Sequence, residues 1–149
     1  MKFYFTFLFF IIGFNSYSQE SALLNLDKNK LAVNGFDLVS YFDNNPQEGN
    51  ESKVYIYEDI HYYFINNENR EKFIKFPEKY LPQYGGWCAY AMGDSGEKVE
   101  IDPETFKVIN GKLYLFYNKY FSNTLKYWNK DETALKQNAD KNWLKHIKE

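Results

Sequence analysis

The 149-residue chain has one cysteine, two histidines, two methionines and four prolines. One thiol cannot form an intramolecular disulfide, and it excludes zinc or iron–sulfur sites built from several cysteines. Like charges are not gathered into blocks and the net charge is −2, which argues against a nucleic-acid binder working through a basic surface. The longest apolar run, Phe3 to Phe14, is about twelve residues, whereas a helix needs roughly 20 to span a bilayer. Also missing are a Ser/His/Asp order with elbow glycines, a phosphate loop, an HExxH pair and a paired-carboxylate signature. The usual hydrolase, kinase and metalloprotease readings therefore have no support.

Aromatic residues are plentiful: 14 Phe, 14 Tyr and 3 Trp, of which eight fall in the first 18 residues. Seven of them belong to the apolar run, which follows Lys2, and Tyr17 lies in the Asn15-Ser16-Tyr17-Ser18-Gln19 stretch that ends it. Small residues at 16 and 18 have the spacing a signal peptidase reads, so residues 1–18 are expected to be a signal peptide cleaved after Ser18. No cysteine follows the run, so no lipid is attached there. Removing Lys2 leaves 17 basic residues against 20 acidic ones, a net charge of −3. The expectation is an exported protein, periplasmic or secreted, without a stable membrane anchor.

Residues 19–30 are polar and predict an N-terminal tether, with only Leu23, Leu24 and Leu26 offering anything to bury. From residue 31 to 149 the pattern is that of a single small α+β domain: two β-hairpins packed with a central short helix and two C-terminal helices. Asn34-Gly35 signals a turn, and Asp37 is placed to cap a short helical turn through Tyr41. Lys53 to Ile65 reads as a hairpin about Glu58-Asp59, pairing Ile56 with His61, Tyr55 with Tyr62 and Val54 with Tyr63. Asn66 or Asn67 caps the following helix, which presents Phe73 and Phe76 inward and stops at Pro77. Phe106 to Tyr117 forms a second hairpin about Asn110-Gly111, with Phe106 opposite Leu115 and Val108 opposite Leu113. Two stripes close the chain: Phe121, Leu125 and Trp128, then Leu135, Ala139, Trp143 and Ile147 after an Asp131 cap.

Cys88 is the first candidate for chemistry. A lone thiol in an exported protein is buried, metal-bound, catalytic or paired with another chain. Its setting, Gly85-Gly86-Trp87-Cys88-Ala89-Tyr90, lets the backbone turn tightly and approach a neighbour closely. Met92 follows four residues later, and a helical turn would set the two sulfurs on one face, a pair suited to Cu(I). His61 is placed in a strand, either as a ligand or as a hydrogen-bonded structural histidine. His146, close to the end of the last helix, reads as structural. Asp102 reads as the opening of an Asp-Pro turn.

Several runs resemble exported bacterial YHS domain-containing (seleno)proteins: AVNGFDLVSYF at 32–42, YYFINNENREKFIKFPEKYLPQYGGWCAYAM at 62–92, IDPETFKVINGKLYLFYN at 101–118 and ADKNWL at 139–144. The resemblance implies kinship with small modules in which a hairpin, a helix and a few cysteines hold a heavy metal. This chain has Ile65 or Asn66, and Asn69 or Arg70, where those modules place cysteines, so their metal site is not carried over. What it shares is a later GGxCA motif, here Gly85, Gly86, Cys88 and Ala89, which fits a reactive Cys/Sec position.

The leading expectation is an accessory protein that binds copper, with Cys88 as thiolate ligand and Met92 or His61 assisting. Two alternatives stand beside it. One is thiol redox chemistry at Cys88, through sulfenic acid or a mixed disulfide with a protein partner. The other is a non-enzymatic module that binds a small ligand or a protein, with Cys88 merely buried.

Overall fold

The computed structural model describes residues 23–148. The expected signal peptide and residues 19–22 lie outside them. The fold is α+β, with three antiparallel hairpins and five helices along the described chain.

Strands β1 (Asn50–Tyr57) and β2 (Ile60–Phe64) form the first hairpin. Its turn residues Glu58 and Asp59 both have positive φ, 51° and 63°, as a two-residue type I′ turn requires. Tyr55 pairs with Tyr62 and Ile56 with His61, as the alternation predicts, but the register shifts between Asn50 and Tyr55, so the expected pairing of Val54 with Tyr63 is replaced by a bulge. One face only is sealed. Ile60, Tyr62 and Phe64 are buried, while Ile56 on the opposite face is exposed.

Helix α1 (Asn67–Lys75) starts where Asn66 accepts a hydrogen bond from the Asn69 amide at 2.7 Å. Its Phe73 is fully buried and central to a first core, with ring centroids 4.8 Å from Tyr62 and 5.3 Å from Phe64. Phe76 departs from expectation and is exposed, because it is the C-cap residue with φ −143° and no longer follows the helical face. Pro77 then opens a second short helix, α2 (Pro77–Tyr80), at the one helical position where its missing N–H costs nothing. A 3-10 turn (Gln83–Gly86) and helix α3 (Ala89–Asp94) follow.

The second hairpin, β3 (Asp102–Ile109) with β4 (Lys112–Phe116), has the expected register: Phe106 opposite Leu115 and Val108 opposite Leu113. All four residues from Leu113 to Phe116 are buried. Leu113 and Leu115 face the first core. Tyr114 and Phe116 face a second core with Met92, Trp128 and Ala139. The strand alternation that predicts one apolar face therefore places β4 between two cores. Trp128 is closed in by the Phe116 ring at 5.5 Å and the Tyr114 ring at 5.8 Å.

A third, two-residue hairpin, β5 (Asn118–Lys119) with β6 (Ser122–Asn123), turns through Tyr120 and Phe121. Helices α4 (Thr124–Trp128) and α5 (Glu132–His146) follow, capped by Asn123 and Asp131. Phe121 was expected on a helical stripe but precedes α4 and is exposed. Ile147 is also 53% exposed, since α5 runs past the edge of the core that Ala139 seals. Helix α3 lies directly on α5: a Cβ at Gly93 would run into the Leu135 carbonyl oxygen, so only glycine permits this approach.

Candidate functional site

The segment from 82 to 88 positions the candidate site. Tyr84, Gly85 and Gly86 all have positive φ (55°, 61° and 83°), so the chain winds left-handed for three residues, which the glycines allow. The N-terminal segment docks on this turn. Asn25 donates from its backbone to the Gly85 carbonyl at 2.8 Å and from its side chain to the Gly86 carbonyl at 3.2 Å. Trp87 Nε1 donates to the Leu23 carbonyl at 2.8 Å. Residues 23–26 are thus packed onto the domain, with Leu24 and Leu26 resting against the first core, while residues 27–30 are exposed.

Between this docked segment, the glycine turn and the end of α5 lies a cleft of about 760 Å³, within the range of small-molecule sites. Leu24, Leu26, Val33, Leu81, Trp143 and Leu144 supply apolar wall, and Gly85 and Gly86 supply backbone. Four carboxylates contribute to the lining: Glu58, Asp59, Glu78 and Asp140. Asp59 pairs with Lys30. Asp140 accepts from the Tyr84 hydroxyl at 2.8 Å and pairs with Lys136 at 2.9 Å. Burial, and then the bond to Asp140, push the Tyr84 phenol well above its ordinary value, so it stays a hydrogen-bond donor.

Cys88 does not line the cleft. It is fully buried and leads into α3 as its N-cap residue. Its sulfur accepts the Tyr117 amide proton at 3.3 Å and lies 3.4 Å from Thr124 Oγ1. The single Thr124 hydroxyl proton goes to the Tyr117 carbonyl at 2.9 Å. In the remaining bond the thiol is then the donor, and Tyr117, Cys88 and Thr124 close a ring of hydrogen bonds. That ring joins the start of α3 to the start of α4 and leaves no buried side-chain nitrogen or oxygen unsatisfied among the described residues.

No protein-family model, curated protein or solved structure matches this chain. The donors proposed for copper must therefore be weighed on geometry alone. Met92 is also fully buried, but it packs in the second core while Cys88 belongs to the first. Cys88 has an extended ψ of 116°, and the Met92 amide donates to its carbonyl at 3.0 Å across the first turn of α3. His61 lies on the opposite face of β2 from Ile60, Tyr62 and Phe64, which pack in the core that holds Cys88. Its backbone binds the N-terminal segment, donating to the Lys30 carbonyl at 2.9 Å and accepting from Ala32 at 3.1 Å. Among the described residues no three His, Cys, Asp or Glu side chains converge as metal ligands.

Asp37 does more than a sequence reading assigns it. Fully buried, it caps its own turn by accepting from Val39 N at 2.8 Å, and its other oxygen accepts from Ile65 N at 3.0 Å and Asn69 Nδ2 at 2.8 Å. Here a carboxylate and an amide join the strand to the helix. The only signal for this in the sequence was a polar residue at each place, which surface exposure would explain equally well.

Proposed function

We propose that this chain is an exported, non-enzymatic binding module that holds a small, largely apolar ligand in the cleft between residues 23–26, the Gly85-Gly86 turn and the end of α5. The cleft itself carries this reading, being concave and walled by apolar side chains between its carboxylates, with Gly85 at a place where a Cβ would lie 2.8 Å from Trp143. In this reading the GGxCA motif divides its labour. Gly85 and Gly86 form ligand-facing backbone, and Cys88 holds the motif to the core through Tyr117 and Thr124. The likeness to exported YHS domain proteins belongs to the same proposal, supported by the order of a hairpin followed by a capped helix. Copper binding through Cys88, Met92 and His61 ranks below it, because the buried thiol would have to lose its proton and with it the hydrogen bond it donates to Thr124.

The test is a fluorescence titration of the purified chain with Nile red, a neutral apolar dye, alongside Cu(I) titration under reducing conditions. Saturable one-to-one dye binding is expected, weakened at least about tenfold by Leu144→Glu with Ile147→Glu, which charge two half-exposed positions on the cleft. Dye binding that never saturates, or that ignores both substitutions, overturns the reading. Stoichiometric Cu(I) binding that disappears in Cys88→Ser would replace it with the metal one.

A further inference from the structure

The turn of the third hairpin departs furthest from the residues its conformation prefers. A two-residue type I′ turn needs positive φ at both positions, a conformation suited to Asn and Gly, and the second hairpin has Asn110-Gly111 there with φ 51° and 73°. At the same positions the third hairpin has Tyr120 and Phe121, with φ 50° and 66°. Bulky side chains are poorly suited to this region. Neither ring gains compensation by packing within the chain, since Tyr120 is 89% and Phe121 111% exposed.

Along the chain, the residues flanking the tip carry charge of one sign, while Asp102 and Glu104 lie on the neighbouring strand β3. From residue 117 to 130 the sequence (YNKYFSNTLKYWNK) has three lysines and no acidic residue, in a chain whose net charge is −2. Lys119, Lys126 and Lys130 are exposed, as is Tyr127, over whose ring Lys130 stands at 5.3 Å. The next two acidic side chains are engaged elsewhere. Asp131 caps α5, and Glu132 pairs with Lys107.

We infer that the Tyr120-Phe121 tip is an interfacial anchor that inserts its two rings into an anionic lipid surface, with Lys119, Lys126 and Lys130 meeting the headgroups. Aromatic rings lie well at the boundary of headgroup and acyl chain, and lysines near an anionic leaflet add attraction that salt weakens. A rigid turn holds the rings outward before contact, so little ordering is needed when they insert. The contact is peripheral and reversible, and no helix among the described residues is long and apolar enough to cross a membrane.

The test is co-sedimentation of the purified chain with vesicles of phosphatidylglycerol and phosphatidylcholine, against phosphatidylcholine alone. Binding is expected to the first and much less to the second, and to fall as salt rises. The pair Tyr120→Asn and Phe121→Gly supplies the residues that the turn prefers, so it is expected to weaken partition about tenfold or more while melting at or above the parent temperature. Lys119→Gln, Lys126→Gln and Lys130→Gln together should weaken it mainly at low salt. Absence of binding to the anionic vesicles overturns the inference. So does equal binding to both lipids, or binding that survives the turn substitution in a folded variant.

Discussion

Two halves of one short segment behave oppositely. At Gly85-Gly86 the backbone is left-handed and faces a cleft. Two residues on, Cys88 is fully buried, with its sulfur engaged by an amide and a hydroxyl. The first half borders the cleft and carries the docked residue Asn25, and the second holds the start of α3 to the start of α4. Nearness in sequence to a reactive-looking motif therefore says little about which of its residues reaches a ligand. The backbone conformation at 86–88 makes that division.

The largest effect that probes this contrast is expected from Gly85→Ala. Its new Cβ would lie 2.8 Å from the edge of Trp143 and 3.0 Å from Leu24, at a φ of 61°. Overpacking and backbone strain together predict a loss of about 2 to 4 kcal/mol with weaker dye binding, read by urea unfolding and titration. Gly111→Ala is the control. With φ 73° and nothing within 4 Å of its Cβ, it should lose only about 1 kcal/mol and leave the dye unaffected. A Gly85→Ala no worse than this control would show that the cleft tolerates a side chain there.

On the other side, Cys88→Ala removes a buried sulfur and orphans the Tyr117 amide, for an expected loss of about 2 kcal/mol with dye affinity within about twofold. If instead stability holds and binding falls, Cys88 belongs to the site. Iodoacetamide should label native Cys88 only through unfolding, so its rate should rise with urea along the unfolding curve. Rapid labelling of the folded chain would favour thiol chemistry.

The smallest effect concerns Tyr84, which ties the glycine turn to α5 through Asp140. Its folded value is raised above the ordinary tyrosine value, so it stays protonated in the folded chain where the unfolded chain has lost the proton. Its contribution is therefore complete below about pH 10 and declines as pH rises further. Tyr84→Phe should lower stability by about 1 kcal/mol at pH 7, and the gap between variant and parent should narrow above about pH 10. A gap that widens there would contradict the assigned donor role.

Much of the fold was legible because its signals are local. Asn110-Gly111 and Glu58-Asp59 place two hairpins in register through backbone twist alone, and Asn66 and Asp131 announce helix starts through their own side-chain oxygens. What was illegible depends on partners distant in sequence. Helical spacing put Phe76, Phe121 and Ile147 inside, yet each lies beyond a helix end or past the edge of the core, where periodicity stops describing what a residue faces. The third hairpin had no turn signal, since aromatic residues occupy the positions where Asn and Gly are expected. The cleft was unreadable for a similar reason, its walls coming from residues more than a hundred positions apart.

By itself, then, the sequence determined the α+β class, two hairpin registers and the caps of the main helices, because these follow from hydrogen bonds and side-chain alternation within a few residues. Only the tertiary structure decided that β4 lies between two cores, that Asp37 joins strand to helix and that Cys88 turns inward while Gly85 and Gly86 face a cleft. Those outcomes depend on which distant surfaces exclude water together, and burial of that kind is a property of the assembled chain rather than of any segment of it.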